Sequence, residues 1–375
     1  MAVLELSSED SLRLNVLVMN VEAVRIDERS MTVFGLSARG EAKVPLNPTG
    51  RAEQYLKAVR EFLSAAALGS PSGYPVHLNR WTRMGQARDT NLAKLLMLGE
   101  PEAITAVVCA PGLTDELARR AWWADPSSEN ARRMLACECV VQGTMGRILA
   151  EHLVEHLPFE TEARLVIESV RLVLQPGLVN EAVRQKLWEK GGAHGSYRIG
   201  FLLAEPDSLP PGPPARSDHA ALDAPLAELA AHGNRLAALL RRVLSAPGQN
   251  FLATCQQALQ RLSDQDAVVA LLNSLSGYFR DARLQPESCQ DVAAILVEAE
   301  SAVQQQPESR AIMATLPGLP AELKAMFALA SMDEAIVTPV FARSSAVGSL
   351  MRRKIEPVIA PVLKQIAILR RPAHG

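Results

Sequence analysis

LGEPEAITAVVCAPGLTDELARRAWWADPSS, residues 98–128, decides how the rest of the chain is read. Gly99 closes one helical stretch. Pro101 stands where a first-turn proline is favoured, because the N–H it lacks has no intrahelical partner there. Apolar residues recur through Ile104, Val107 and Val108 until Pro111-Gly112 ends the period. Thr114 offers a capping hydroxyl, and Asp115 and Glu116 complement the positive end of the helix dipole. Asp125-Pro126 stops this second helix just after Trp122-Trp123. Two short helices on so tight a turn must lie antiparallel and side by side.

The same punctuation continues in both directions. Upstream, 91–98 is helical. Downstream, Ser127 or Ser128 opens a helix carrying Met134, Leu135, Val140 and Val141, expected to run on to Leu157, where Pro158 stops it. Thr161 to Pro176-Gly177 and Asn180 to Gly191-Gly192 supply two more. The succession reads as stacked short helices, a HEAT-like α-solenoid with no strict repeat period.

Nearer the start, Ser8 caps a helix with Leu12, Leu14, Val16, Leu17 and Met19 on its apolar faces. The period then changes to two over 23–27, 31–36 and 41–46, with polar turns between, which predicts a small β-meander packed on neighbouring helices. Tyr55, Val59, Phe62 and Leu63 return to helical spacing. Further on, Pro206, Pro210, Pro211, Pro213 and Pro214 with Gly212 exclude helix and central strand, so 205–219 reads as a linker. Helical stripes follow over 221–243, 251–262, 267–279, 289–303 and 321–330, then a final stretch over 344–371 kinked or interrupted at Pro357 and Pro361. The expected organisation is a mainly α protein: 1–204 with the meander and helical repeats, the linker, and an α-helical domain over 220–375.

Composition narrows the function classes. The chain has 375 residues, 48% hydrophobic and 21% charged, which excludes disorder as the dominant state. A net charge of −2 gives no overall basic field for nucleic acid. The first ten residues hold three acids and no Lys or Arg, unlike a secretory signal, and no apolar run approaches the ~18 residues of a spanning helix. Five scattered cysteines make no disulfide framework, and a cytoplasmic location is expected.

Signatures for phosphate loops, the nucleophile elbow and kinases are absent from the sequence. His152-Leu153-Val154-Glu155-His156 spells H-x-x-E-H, which on a helix places two imidazoles one turn apart for a zinc ion, with Glu155 as general base. That is the zinc-hydrolase reading; a helix end with dipole-compensating histidines is the simpler one. Cys137-Glu138-Cys139 upstream, with His152 and His156, spells a pattern close to a classical zinc finger, but its first spacing is too short and on a continuous helix the two thiols point ~200° apart and read as packing residues. Arg80, Trp81 and Arg83 in an irregular segment, together with Trp122 and Trp123, are the candidate partner-binding residues. The tail holds Arg352, Arg353, Lys354, Lys364, Arg370 and Arg371 against one acid, Glu356. This basic helix either docks on its own acidic domain or binds nucleic acid or an acidic partner.

Several stretches taken together resemble the DsrS family, proteins encoded with the reverse-acting dissimilatory sulfite reductase genes of sulfur-oxidising bacteria. They are 8–17, 25–28 with 31–37, 79–86, 98–103 leading into 110–124, and 172–178. The resemblance covers roughly 8–203 and implies an accessory or regulatory role in sulfur oxidation. It brings no catalytic site and no cofactor. The expected function is a non-catalytic cytoplasmic adaptor or regulator acting through a protein partner. The alternatives are an RNA-binding regulator using the basic C-terminal helix and, third, the zinc hydrolase.

Overall fold

A serine one residue earlier than expected opens the first helix. In the computed structural model, which describes residues 6–69, 89–262, 264–285, 287–343 and 348–370, the Ser7 hydroxyl accepts the Asp10 amide at 3.1 Å and α1 runs Ser8–Val18. Three antiparallel strands follow in the order β1-β2-β3: Ala23–Asp27, Thr32–Ser37 and Gly40–Pro45. Their register sets Val33 opposite both Ile26 and Val44. Helix α1 crosses this sheet at Gly35, where a Cβ would stand 2.6 Å from Val21 Cγ1 and 2.9 Å from Leu17 Cδ1. The core of this corner joins Leu14, Leu17, Val24, Val33 and Val44 to Tyr55, Val59 and Leu63 of α2 (Ala52–Leu68). Inside it the Tyr55 hydroxyl donates to Asp10 Oδ2 at 2.5 Å, and the Asn47 amide donates to the same oxygen at 2.8 Å.

The described chain then proceeds as short helices: α3 (Asp89–Leu95), α4 (Pro101–Val108), α5 (Asp115–Ala124), α6 (Ser128–Leu135), α7 (Glu138–Val141) and α8 (Met145–His156). Thr114 caps α5 through the Leu117 amide at 3.2 Å, as its position predicts. The single helix expected from Ser127 or Ser128 to Leu157 is instead three. Cys137 is extended (φ −97°, ψ 121°), which ends one segment. At the second break the Asp115 carboxylate reaches across from the first turn of α5. It accepts the Thr144 amide at 2.9 Å, the Thr144 hydroxyl at 2.7 Å and the Met145 amide at 3.0 Å. That carboxylate occupies the place a Cβ on Gly143 would take, 2.2 Å from Oδ1.

Chain contacts divide the molecule into Met1–Pro158 and Phe159–Gly375. The second unit comprises α9 (Ala163–Val173), α10 (Glu181–Lys190), α11 (Gly195–Ala204), α12 (His219–Ala231), α13 (Arg235–Leu244), α14 (Ala246–Arg261), α15 (Gln265–Tyr278), α16 (Val292–Gln305), α17 (Pro307–Thr315), α18 (Pro320–Ser331), α19 (Thr338–Phe341) and α20 (Gly348–Arg370). Its helices pack closely in pairs such as α9 with α11, α12 with α13 and α16 with α18, consistent with a helical-repeat arrangement. One core runs through it, from Ile167, Ile199 and Leu202 to Phe251, Phe279, Leu329 and Ile366. Helix α18 lies inside, with Leu323 and every residue from Ala325 to Ala330 buried.

The expected linker at 205–219 belongs to this second unit. The Pro210 carbonyl accepts from the Asn250 side chain at 2.7 Å, and the Arg216 amide donates to the Leu244 carbonyl at 3.0 Å. The Arg216 side chain, 1% exposed, holds Glu322, 4% exposed, at 3.0 Å and Asp218 at 2.6 Å. Most of the segment is exposed or half-buried, as a stretch with few apolar residues should be, but Pro210 and Arg216 are buried and polar pairing ties it to the helices. The expected helix over 221–243 is also two, parted at Gly233 (φ +86°) with Asn234 capping the second.

Of the kink or interruption expected at Pro357 and Pro361, the interruption is absent: helix α20 runs unbroken through both. Each proline removes one donor. Arg353, whose carbonyl loses its partner to Pro357, and Pro357, whose carbonyl loses its partner to Pro361, are both exposed, so water can serve those carbonyls. The opposite stripe of Met351, Ile355, Ile359, Val362, Ile366 and Leu369 stays buried. Among the described residues no helix is long and apolar enough to cross a membrane.

Candidate functional site

Of the expected partner-binding residues, Arg80, Trp81 and Arg83 lie outside the described residues. Trp122 and Trp123 are both half-buried on α5, and each has a partner within the fold. Trp123 Nε1 donates to Glu41 at 3.2 Å, and Arg25 lies 5.4 Å from its ring and 4.7 Å from the Phe34 ring. Trp122 meets the His152 ring edge-on at 4.8 Å. The polar face of the same helix is also paired: Arg119 binds Glu22 at 2.9 Å and Glu116 at 2.7 Å, and Arg120 binds Glu116 at 2.9 Å. Hydrogen bonding from Arg119 holds the Glu116 carboxyl down at about 2. Helix α5 is thus an internal clamp between the sheet and α8.

The H-x-x-E-H residues do lie on one helix, as the sequence predicts, but the two imidazoles stack on each other at 3.9 Å. His156 Nδ1 lies 2.8 Å from the His152 carbonyl, a bond that needs the proton on Nδ1. His152 Nε2 lies 3.2 Å from the Ser128 hydroxyl. Burial, then the neighbouring His156, lowers the pKa of His152. Glu155 is exposed. Among the described residues no group of three or more His, Cys, Asp or Glu is placed to hold a metal ion.

The basic C-terminal residues are spread along a docked helix. Arg352, Arg353 and Lys354 are exposed together in its first turns. Lys364 is exposed further along, beside a hollow that it lines with Lys324 and Glu300. Arg370 turns back to bind the Gln256 side chain. Arg371 lies outside the described residues.

A surface that sequence reasoning did not single out lies between α1 and β3. Leu14 and Leu17 of α1 face the core, whereas Leu12 (67% exposed), Val16 (58%) and Met19 (85%) form a second apolar stripe on the other side. Leu12 and Val16 line a groove of about 1000 Å³ whose other wall is the 37–45 hairpin, with Ala42 and Val44. Its charged lining residues are Arg13, Arg39 and Lys43, with no carboxylate among them. Among the described residues β3 pairs only with β2, so its outer edge borders the groove. The signal was present as Leu12, Val16 and Met19 at helical spacing, one stripe more than a single covered face needs.

A second arrangement overturns an expectation. Because the chain is extended at Cys137, the thiols of Cys137 and Cys139 do not diverge: their sulfurs stand 3.2 Å apart. Cys139 is exposed as a residue, with its sulfur turned to the Leu113 carbonyl at 3.0 Å, and Cys137 is half-buried. Cys109 is exposed, Cys289 half-buried and Cys255 buried.

Compared with protein-family models, with curated proteins and with solved structures, the chain matches none.

Proposed function

We propose that this protein is a non-catalytic cytoplasmic adaptor that works by protein–protein binding, and that the groove between α1 and β3 takes an acidic amphipathic segment of its partner. One observation carries the reading: the exposed stripe of Leu12 and Val16 lines a groove whose lining charges are Arg39, Lys43 and Arg13, the last paired with Glu9 outside the lining. Burying one aliphatic side chain of this size is worth about 1.5–3 kcal/mol, part of which ordering the partner consumes. The surrounding cations steer the encounter and select against basic segments. The resemblance to the DsrS family supports placing this adaptor in the reverse dissimilatory sulfite reductase system.

The test uses two helical peptides that share one leucine stripe, one with glutamates and the other with lysines on the remaining positions. The glutamate peptide is expected to bind at least about tenfold more tightly, with an affinity that falls as salt rises. Leu12→Asp with Val16→Asp should abolish the binding, because both side chains are exposed and the change leaves the core intact. Equal binding of the two peptides, or binding untouched by the double variant, would overturn the reading. The sulfur-oxidation assignment is tested separately, by co-purification of the reductase proteins with the tagged wild-type chain but not with the variant.

The exposed cluster Arg352-Arg353-Lys354 favours a second reading, RNA binding. It requires an RNA affinity with a steep salt dependence that is lost when those three side chains are neutralised.

A further inference from the structure

We infer that Cys137 and Cys139 form a thiol–disulfide exchange site that takes small disulfides as its substrate. The inference rests on geometry. Helix α6 ends at Leu135, Cys137 is extended, and α7 begins at Glu138, so residues two apart present their sulfurs to each other at 3.2 Å. A bond of about 2.05 Å then requires small side-chain rotations and no movement of a whole helix. Cys139 is exposed as a residue and Cys137 half-buried, so the pair lies close to the surface, which a structural pair would not need. The other three cysteines mark the contrast. Cys255 is fully buried, and that burial pushes its thiol far up and out of reach. Cys109 and Cys289 have no sulfur neighbour among the described residues.

The chemistry balances as two exchanges. One thiolate attacks a sulfur of R–S–S–R, forms a mixed disulfide and expels RS⁻, which takes up a proton. The second thiolate attacks the protein-bound sulfur, closes the Cys137–Cys139 bond and expels a second RS⁻, which is protonated in turn. The two protein thiols give up two protons and two electrons, and the small disulfide leaves as two RSH. The first attack is assigned to Cys137. The Cys139 thiol donates to the Leu113 carbonyl at 3.0 Å, a bond it must give up to ionise; partial burial, then Cys137 and the Asp115 carboxylate, also raise it, to about 11, so it keeps its proton until the second step.

Oxidised glutathione is the probe. The full-length chain is equilibrated in glutathione buffers of rising oxidised share, alkylated and cut with trypsin. The fragment from Met134 to Arg147 carries these two cysteines and no others. The expected product is that fragment two hydrogens lighter, closed to alkylation and free of glutathione. It should form at an oxidised share about tenfold lower in the folded chain than in the chain unfolded in urea, since only folding fixes the sulfurs together. With Cys139→Ser the mixed disulfide on Cys137 should accumulate. Three results would each overturn the site: glutathione on both sulfurs of the wild-type fragment, equal oxidation of folded and unfolded chains, or a fragment still open to alkylation where exposed Cys109 is already modified.

Discussion

Replacing Gly143 by alanine is expected to unfasten α8 from α5. The new Cβ would stand 2.2 Å from Asp115 Oδ1 and 2.3 Å from its Cγ, closer than non-bonded atoms approach. The carboxylate must therefore swing away, and the bonds from the Thr144 amide, the Thr144 hydroxyl and the Met145 amide go with it. Loss of an N-terminal capping acceptor costs about 0.5–2 kcal/mol. Water reaches this partly exposed site and replaces some of what is lost, so the expected loss is about 1–2 kcal/mol, a 5- to 30-fold rise in local opening. Hydrogen exchange read by mass spectrometry on the first turn of α8 measures that opening directly. Asp115→Ala should raise exchange by a similar factor, and the double variant should be little worse than Asp115→Ala alone, because the second change removes what is already gone. Strictly additive effects, or unchanged exchange in Gly143→Ala, would refute the account.

Three further outcomes follow from the structure. Arg216→Met leaves Glu322 charged and buried without its partner and should cost about 3–5 kcal/mol in urea unfolding, whereas Arg216→Met with Glu322→Leu should recover most of it. His152 has a lowered folded pKa, so the unfolded chain binds its proton first. Its contribution to stability is full above about 6.5 and is lost as the pH falls through the folded value, and His152→Phe should flatten the stability profile in that window. Cys255 should resist alkylation until the chain is unfolded, while Cys109 reacts at once; equal labelling in the native state would contradict the burial.

Much of the local structure was legible because its causes are local. Alternation over 23–46 gave the three strands, and Thr114 and Asn180 cap the helices their positions announce. What the sequence did not reveal depends on groups brought from far along the chain. The break at Gly143 exists because a carboxylate 28 residues earlier fills the place of its Cβ. The proline-rich segment is held by Asn250 and Glu322, 40 and 106 residues from their partners. The approach of Cys137 to Cys139 follows from the break in the helix, so a count on a continuous helix placed the thiols apart. The groove was missed for another reason. An apolar stripe announces burial, and only the folded sheet shows that one of the two stripes on α1 lies against nothing described.

The single core of the second unit also bears on how the protein is made. It joins Ile167 and Leu202, among the first residues of that unit to be synthesised, to Ile355, Val362, Ile366 and Leu369 of α20, the last described helix. Translation proceeds at about 5–20 residues per second, so the early helices wait on the order of tens of seconds for the partners that cover them. Among the described residues, the buried members of that core all lie from Ile167 onward. During synthesis the nascent second unit is therefore the stretch that a chaperone has reason to hold, and a premature stop just before α20 would release a chain with its core open.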